Sequence, residues 1–393
     1  MTRVRDYTDL ALRGLPTSFI TDTLEFSQTV RESHTSPSGA LSREGSNLRY
    51  AAIVALGLGT VAVETQRAVL HGATAGDLVE AAVTRAIGAL EPRAHEPRTH
   101  EPRMHEPDAR EPGAVALVAW AAAEVLLAPD PRLVQRLART VSSGVPLSTV
   151  DTAWILCAAV ATLTIDPSAP HAADLAHICR ERLLDAQGST GIFAHALPPT
   201  SFGRLRAHIG SFADQAYPIQ ALARLAALDT DPEALAAADR CADRLCTLQG
   251  DAGQWWWHYD ARDGSVVERY PVYSVNQHAI APMALFDLAA AGGADHSDAV
   301  FRGLDWLRTH PEVDDELVSE DNALIWRKAG RREPGKTVRL LAAATSLVHR
   351  GWRLPGIDTV FPVNRIDREC RPYELGWLLY AWRAVDGDTP SQK

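Results

Sequence analysis

The sequence predicts an all-α fold, an α/α toroid of about six antiparallel helix pairs in a single domain. Two observations predict it. The first is a long repeat. Ser148-Thr-Val-Asp151-Thr-Ala153 opens an apolar run that leads to Leu183-x3-Gln187-x3-Gly191-x-Phe193. One period later, Asp214-Gln215-Ala-Tyr217 leads to Leu245-x3-Gln249-x3-Gly253-x-Trp255. Asp151 and Asp214 are 63 residues apart, Gln187 and Gln249 are 62 apart, and Tyr273-Ser-Val-Asn276-Gln277-His278 sets Asn276 62 residues beyond Asp214. A fixed period of this length marks a repeated helical hairpin. The second observation is composition. The chain is 46% hydrophobic, Ala and Leu dominate, and no alternation of β-branched residues lasts more than a few positions.

Taken in order, residues 1–45 read as a poorly packed or partly docked leader, because they are mixed in character and contain the polar stretch 33–39. The toroid then spans 46–384. Its first helix starts at Ser46-Asn-Leu-Arg49-Tyr50, and a second covers about 75–90. Residues 91–112 repeat Glu-Pro-Arg-x-His, and proline at that density precludes helix and sheet ladders, so a low-complexity loop is expected. Helices near 114–127 and 132–141 form the next pair. The periodic pairs follow at 150–164 with 171–186, 212–228 with 232–248, and 275–291 with 297–308. Two more helices are expected near 335–349 and 372–384, and residues 385–393 read as a disordered tail. The loops 188–211 and 250–274 exceed twenty residues, a length that in a compact helical domain usually signals function.

A net charge of −10 argues against nucleic acid as a partner. No apolar run is long enough to span a membrane, and no signal peptide is expected at the N-terminus. The five cysteines (Cys157, Cys179, Cys241, Cys246, Cys370) lack CxxC pairing and read as reduced core thiols, which points to a cytoplasmic protein. The sequence does not fix the oligomeric state.

In a closed toroid the starts of the inner helices converge on one mouth of a cavity, and polar residues recur there. Asp151, Asp214, His278 and Glu374 are the candidate catalytic groups. Asp151 and Asp214 have a second role open to them, as helix caps. The candidate substrate contacts are Tyr50, Trp154, Tyr217, Tyr273, Asn276, Gln277, Arg371 and Tyr373. Trp256, Trp257 and His258 join them from the densest aromatic cluster, Gln254-Trp-Trp-Trp-His-Tyr-Asp260. No metal-ligand spacing is present. The basic group Arg327-Lys328 and Arg331-Arg332 reads as a solvated loop or as a site for a diphosphate or an acidic sugar.

Leu-x3-Gln-x3-Gly-x-Trp is similar to the Gln-Trp (QW) repeat of squalene-hopene cyclases and related terpenoid cyclases and protein prenyltransferases. Ser148-Thr149-Val150-Asp151-Thr152-Ala153 resembles that family's Asp-x-Asp-Asp-Thr-Ala motif, with Val150 at the place of the proton-donating middle aspartate. The resemblance covers roughly 114–290. It implies the toroid and an isoprenoid substrate in an aromatic-lined cavity, cyclised or isomerised after protonation, with Mg2+ only if that substrate is a diphosphate. Two other functions stay open. One is a carbohydrate-active α/α barrel, a uronate lyase or epimerase in which Tyr273, Asn276 and His278 move the proton and Arg371 neutralises the uronate. The other is a binding toroid without catalysis. A wall rich in hydrogen-bonding groups would favour the sugar.

Overall fold

The computed structural model describes residues 2–32, 40–89, 111–331, 333, 337–352 and 354–383. The expected loop 91–112 (apart from its last two residues) and the tail 385–393 lie outside the described residues. The helices are α1 (Thr2–Gly14), α2 (Leu48–Leu58), α3 (Val63–Val69), α4 (Ala75–Gly88), α5 (Pro112–Val125), α6 (Pro131–Ser142), α7 (Thr149–Ile165) and α8 (Ala172–Ala186). They continue with α9 (Ala213–Asp229), α10 (Pro232–Thr247), α11 (Ala281–Ala290), α12 (Ser297–Thr309), α13 (Thr337–Val348), α14 (Ile357–Val360) and α15 (Pro372–Ala381). A π-helical turn, Asn276–Ile280, leads into α11.

Six inner helices close a ring: α2 packs on α5, α5 on α7, α7 on α9, α9 on α11, α11 on α15, and α15 on α2. Each has an outer partner, in the same order α4, α6, α8, α10, α12 and α1. The α/α toroid expected from the repeat is the fold. Inner helices are apolar nearly all round, so α5 is buried from Gly113 through Ala123. Outer helices bury one stripe, as α6 does with Leu133, Val134, Leu137 and Val141. Asp130 and Asp231 cap α6 and α10, each followed by Pro at the first helical position.

The ring closes where α2 and α15 touch. A Cβ on Gly57 would lie 2.2 Å from the Gly376 carbonyl oxygen, so only glycine permits the approach. The N-terminal segment, expected to be a poorly packed or partly docked leader, has its first helix docked on the ring. Val4, Tyr7, Leu10 and Ala11 recur every three or four residues and are buried, which makes α1 the outer helix of the sixth pair. The strand Glu25–Glu32 then pairs with both Leu41–Ser46 and Glu369–Cys370, stitching the two ends of the chain together.

The 62-residue repeat has a physical basis. Gln187 Nε2 donates to the carbonyls of Gly191 (3.1 Å) and Ala237 (2.8 Å), and Gln249 Nε2 to those of Gly253 (3.0 Å) and Ala299 (2.8 Å). Each glutamine therefore ties the end of one outer helix to the next outer helix. Gly191 and Gly253 have φ of 89° and 96°, and a Cβ at either would strike the backbone of the following outer helix. The helix expected near 335–349 is α13, but it belongs to no pair. With α14 it forms an excursion between the paired strands Lys328–Arg331 and Val363–Asp367, and it rests on the strand Val266–Glu268. All five cysteines are free, four of them buried. Among the described residues no helix is long and apolar enough to cross a membrane.

Candidate active site at the mouth of the toroid

The inner helices present their first turns to a cavity of about 270 Å³. Tyr50, Trp154, Tyr217 and Tyr373 line it from α2, α7, α9 and α15, and Asn276 from the π-helical turn. Trp257 and Tyr273 come from the long loop between repeats. These seven were expected at the cavity, and they line it: five from the starts of successive inner helices, and Trp257 and Tyr273 from the loop that leads into the π-helical turn. The rings pack against one another, Trp154 on Tyr217 (5.1 Å between centroids) and Tyr50 on Tyr373 (4.8 Å).

Two guanidinium groups share this wall. Arg49 is ion-paired to Glu111 and lies 5.8 Å over the Trp154 ring. Arg327 lies 5.3 Å over Tyr273, bonds Glu369 at 2.6 Å, and comes within 3.5 Å of Glu374. Arg371 stands one layer behind, donating to the Tyr50 hydroxyl (3.2 Å) and to Glu369 (2.9 Å). Glu374 is buried with both oxygens unbonded, and burial pushes its carboxyl up to about 7 against the pull of Arg327 and Arg371. It does not line the cavity, so its expected role as a proton donor to substrate is replaced by that of a buried partner to Arg327.

On the neighbouring rim, Asp214 is fully buried at the start of α9. Its Oδ2 accepts from the backbone N–H and hydroxyl of Ser211, both at 2.7 Å, and His195 Nδ1 lies 3.1 Å from each carboxylate oxygen. The His195 side chain is 57% exposed. The hydrogen bond that His195 makes to Asp214, with the charge of that carboxylate, raises the pKa of His195, and the charge of Asp151 adds to it. Asp151 does not cap α7, since Ser148 accepts the Asp151 N–H (2.9 Å) and is the cap. The Asp151 carboxylate packs instead over Gly113 of α5, where a Cβ would come within 2.1 Å of Oδ1.

Four expected site residues do other work. His278 is wholly buried, neither ring nitrogen has a partner, and burial drives its pKa down to about 3, so it is a neutral core residue outside the cavity wall. Gln277 is a strut: it accepts from the Trp255 N–H and donates to the Tyr273 carbonyl. Trp256 packs on Tyr270 with Arg269 over its ring and is not among the residues that line the cavity. His258 lies behind Trp257, stacked at 4.0 Å, and burial followed by the charge of Arg206 holds its pKa well below the usual imidazole range. Sequence reasoning did not single out Ser211 or Phe212 as wall residues. Ser211 was legible as the residue three before Asp214, the spacing Ser148 has to Asp151.

Solved structures similar to this chain share its fold. One is an unsaturated glucuronyl hydrolase specific for heparin, 12% identical, with 97% of this chain and 96% of that one covered and a TM-score of 0.57. Another is the unsaturated glucuronyl hydrolase of Bacillus sp. GL1, responsible for the degradation of glycosaminoglycan (11% identical, 98% and 96% covered, TM-score 0.54). A third is a possible member of the GH105 family from Klebsiella pneumoniae (8% identical, 97% and 92% covered, TM-score 0.55). No family model and no curated protein matches the sequence. The likeness is one of fold, an α/α toroid, and these proteins are glucuronyl hydrolases and a possible GH105 member rather than terpenoid cyclases. The expected isoprenoid substrate and protonation-initiated cyclisation are corrected by these neighbours, which favour the carbohydrate alternative. The wall agrees with the correction: Arg49, Ser211, Asn276, Arg327 and the tyrosine hydroxyls break up any continuous apolar lining.

Proposed function

We propose that the protein is a carbohydrate-active enzyme that hydrolyses an acidic saccharide, taking a uronate residue into the mouth of the toroid. The observation that carries this reading is the pairing of aromatic faces with guanidinium groups in one wall, beside a carboxylate–imidazole pair. A pyranose offers apolar C–H faces to Trp154, Trp257 and Tyr273, and hydroxyl edges to Ser211 and Asn276. Its carboxylate suits Arg327 and Arg49, whose planar forks match it. The names of the similar solved structures, glucuronyl hydrolases, support the same substrate class.

Hydrolysis needs a proton on the departing glycosidic oxygen and a water stripped of one of its own. His195, whose protonated form Asp214 favours, is the donor. Its proton passes to the leaving oxygen as the carbon–oxygen bond breaks. Water supplies the new bond to the sugar carbon, and its released proton returns to the His195–Asp214 pair, with Asp151 stabilising the positive charge. The test is incubation with uronyl disaccharides, saturated and unsaturated, with neutral disaccharides as controls. New reducing ends should appear only with the uronyl substrates. Elimination would instead create a new ring double bond visible in the ultraviolet, and absence of any product from all of them would sink the proposal.

A further inference from the structure

α13 has two faces. Val338, Ala343 and Ser346 are buried, and Ala343 packs with Ile209 and Val267. His208 Nε2 lies 2.9 Å from the Ser346 hydroxyl, and Arg262 donates to the Ser346 carbonyl at 2.6 Å, so this face is anchored. At about 100° per residue, Leu340, Leu341, Ala344, Leu347 and Val348 fall on the other side, in a stripe about 120° wide. All five are exposed, Val348 at 88%. A helix that is apolar on both faces is ordinarily covered on both. Of the twelve large apolar side chains exposed among the described residues, six belong to the stretch 337–360.

The exposed stripe is a palindrome. Leu340 and Leu341 stand four and three residues before Ala344, and Leu347 and Val348 three and four after it. Two such helices laid antiparallel about a twofold axis at Ala344 match. Leu340 and Leu341 of one meet Leu347 and Val348 of the other, and the small Ala344 lets the backbones approach at the crossing. A groove of about 550 Å³, lined by Ala344, Thr345, Val348, His349 and Trp352, receives the opposing Leu340. With Trp352 the stripe leaves roughly 600 Å² open, at the upper end of what a monomer exposes and approaching the about 800 Å² that each partner buries in a standard interface. Charge points the same way. Arg339 is the one charge in α13 and is turned inward over Trp257 at 5.0 Å, so the helix lacks the basic polar face that binds an anionic membrane.

We infer that the outward face of α13 is the interface of a homodimer, in which a second copy of this chain packs its own α13 antiparallel about a twofold axis at Ala344. The interface lies outside the cavity and reaches it through one residue. The helix that the dimer fixes is the helix that lays Arg339 over Trp257 of the cavity wall. Dimerisation does not depend on what the cavity binds.

The experiment is sedimentation velocity of the full chain across a concentration series, with helical circular dichroism on each variant. The wild type should pass from monomer to dimer and stop there. Val348→Glu and Leu340→Lys should each raise the dissociation constant by about a hundredfold, because each change enters twice across a twofold axis. Both side chains are exposed, so neither change disturbs packing within the monomer. An equimolar mixture of the two variants should dimerise again, since antiparallel pairing sets the introduced lysine of one against the introduced glutamate of the other. Val63→Glu, at an exposed apolar residue on α3, should leave the dimer unchanged. A wild type that stays monomeric, or that grows without stopping at two, would overturn the dimer. A dimer that survives Val348→Glu would overturn the face, and a mixture that stays monomeric would overturn the antiparallel pairing. A monomeric wild type that floats with phosphatidylserine vesicles would give the face to a lipid surface instead.

Discussion

Asp214→Asn separates the two jobs of the carboxylate. Ser211 directs two donors, its N–H and its hydroxyl, at Oδ2. An asparagine can keep its carbonyl oxygen toward Ser211 only by turning its NH2 group toward His195 Nδ1. Two donors then face each other, and the imidazole must surrender its Nδ1 proton or move away. A hydrogen bond to a charged group contributes about 1.5–3 kcal/mol, and loss of positioned acid–base chemistry costs about 10²–10⁴ in rate. We expect kcat to fall within that second range while the helical circular dichroism is unchanged. The pKa of His195 should drop, read by NMR titration of its ring, because the first cause of its elevation is gone. The sign for stability follows. With a folded pKa raised above the ordinary 6.5, the contact stabilises fully below that pH and is lost as pH rises through the raised value. The variant should therefore lose stability chiefly at low pH. Wild-type kcat in the variant, or an unmoved His195 titration, would refute the assignment.

Two further outcomes test the parts around the site. His278→Leu should leave activity intact and improve acid tolerance: a buried imidazole with pKa near 3 against 6.5 when unfolded costs about 2 kcal/mol by pH 5. Urea titrations at neutral pH and at pH 5 read this, and a loss of turnover with the fold intact would return His278 to the site. Gln249→Leu removes the bonds to the Gly253 and Ala299 carbonyls and the acceptor for Arg302, and should destabilise by about 1–3 kcal/mol. Its denaturation midpoint should fall without a change in KM, and an unmoved midpoint would mean the clamp contributes nothing.

The helix pairs were legible because the repeat is local. Tyr50, Trp154, Tyr217, Asn276 and Tyr373 could be placed in one mouth since each opens an inner helix, and successive inner helices are neighbours. What failed to show was long-range. The partner of α1 is α15, at the far end of the chain, so nothing near residues 1–20 announced a packed helix. Arg327 could be read as a solvated loop residue or as part of an anion site until the strand Lys328–Arg331 paired with Val272–Tyr273 and brought it over the Tyr273 ring. His278 looked catalytic by position, yet the π-helical turn that begins α11 holds it in the core and leaves Asn276 in the wall.

The terpenoid reading failed for a reason that lies in what its motif encodes. Gln187 and Gln249 are clamps between outer helices, and Gly191 and Gly253 are there because a Cβ would meet the next helix. A toroid of hairpins must satisfy those helix ends whatever it encloses, since unpaired buried carbonyls are costly. The pattern therefore reports the outer ring and its ties to the first turns of the inner helices, where Gln215 and Gln277 bond the backbone of Phe193 and Trp255, and says nothing of which side chains line the cavity. Val150 makes the same point from inside: it lines the cavity as an aliphatic wall residue beside Trp154. The proposed proton chemistry sits instead one repeat further on, where Ser211, Asp214 and His195 meet. Function in such a fold has to be read from the residues that differ between repeats at the mouth, because those shared by the repeats are already accounted for by the ring.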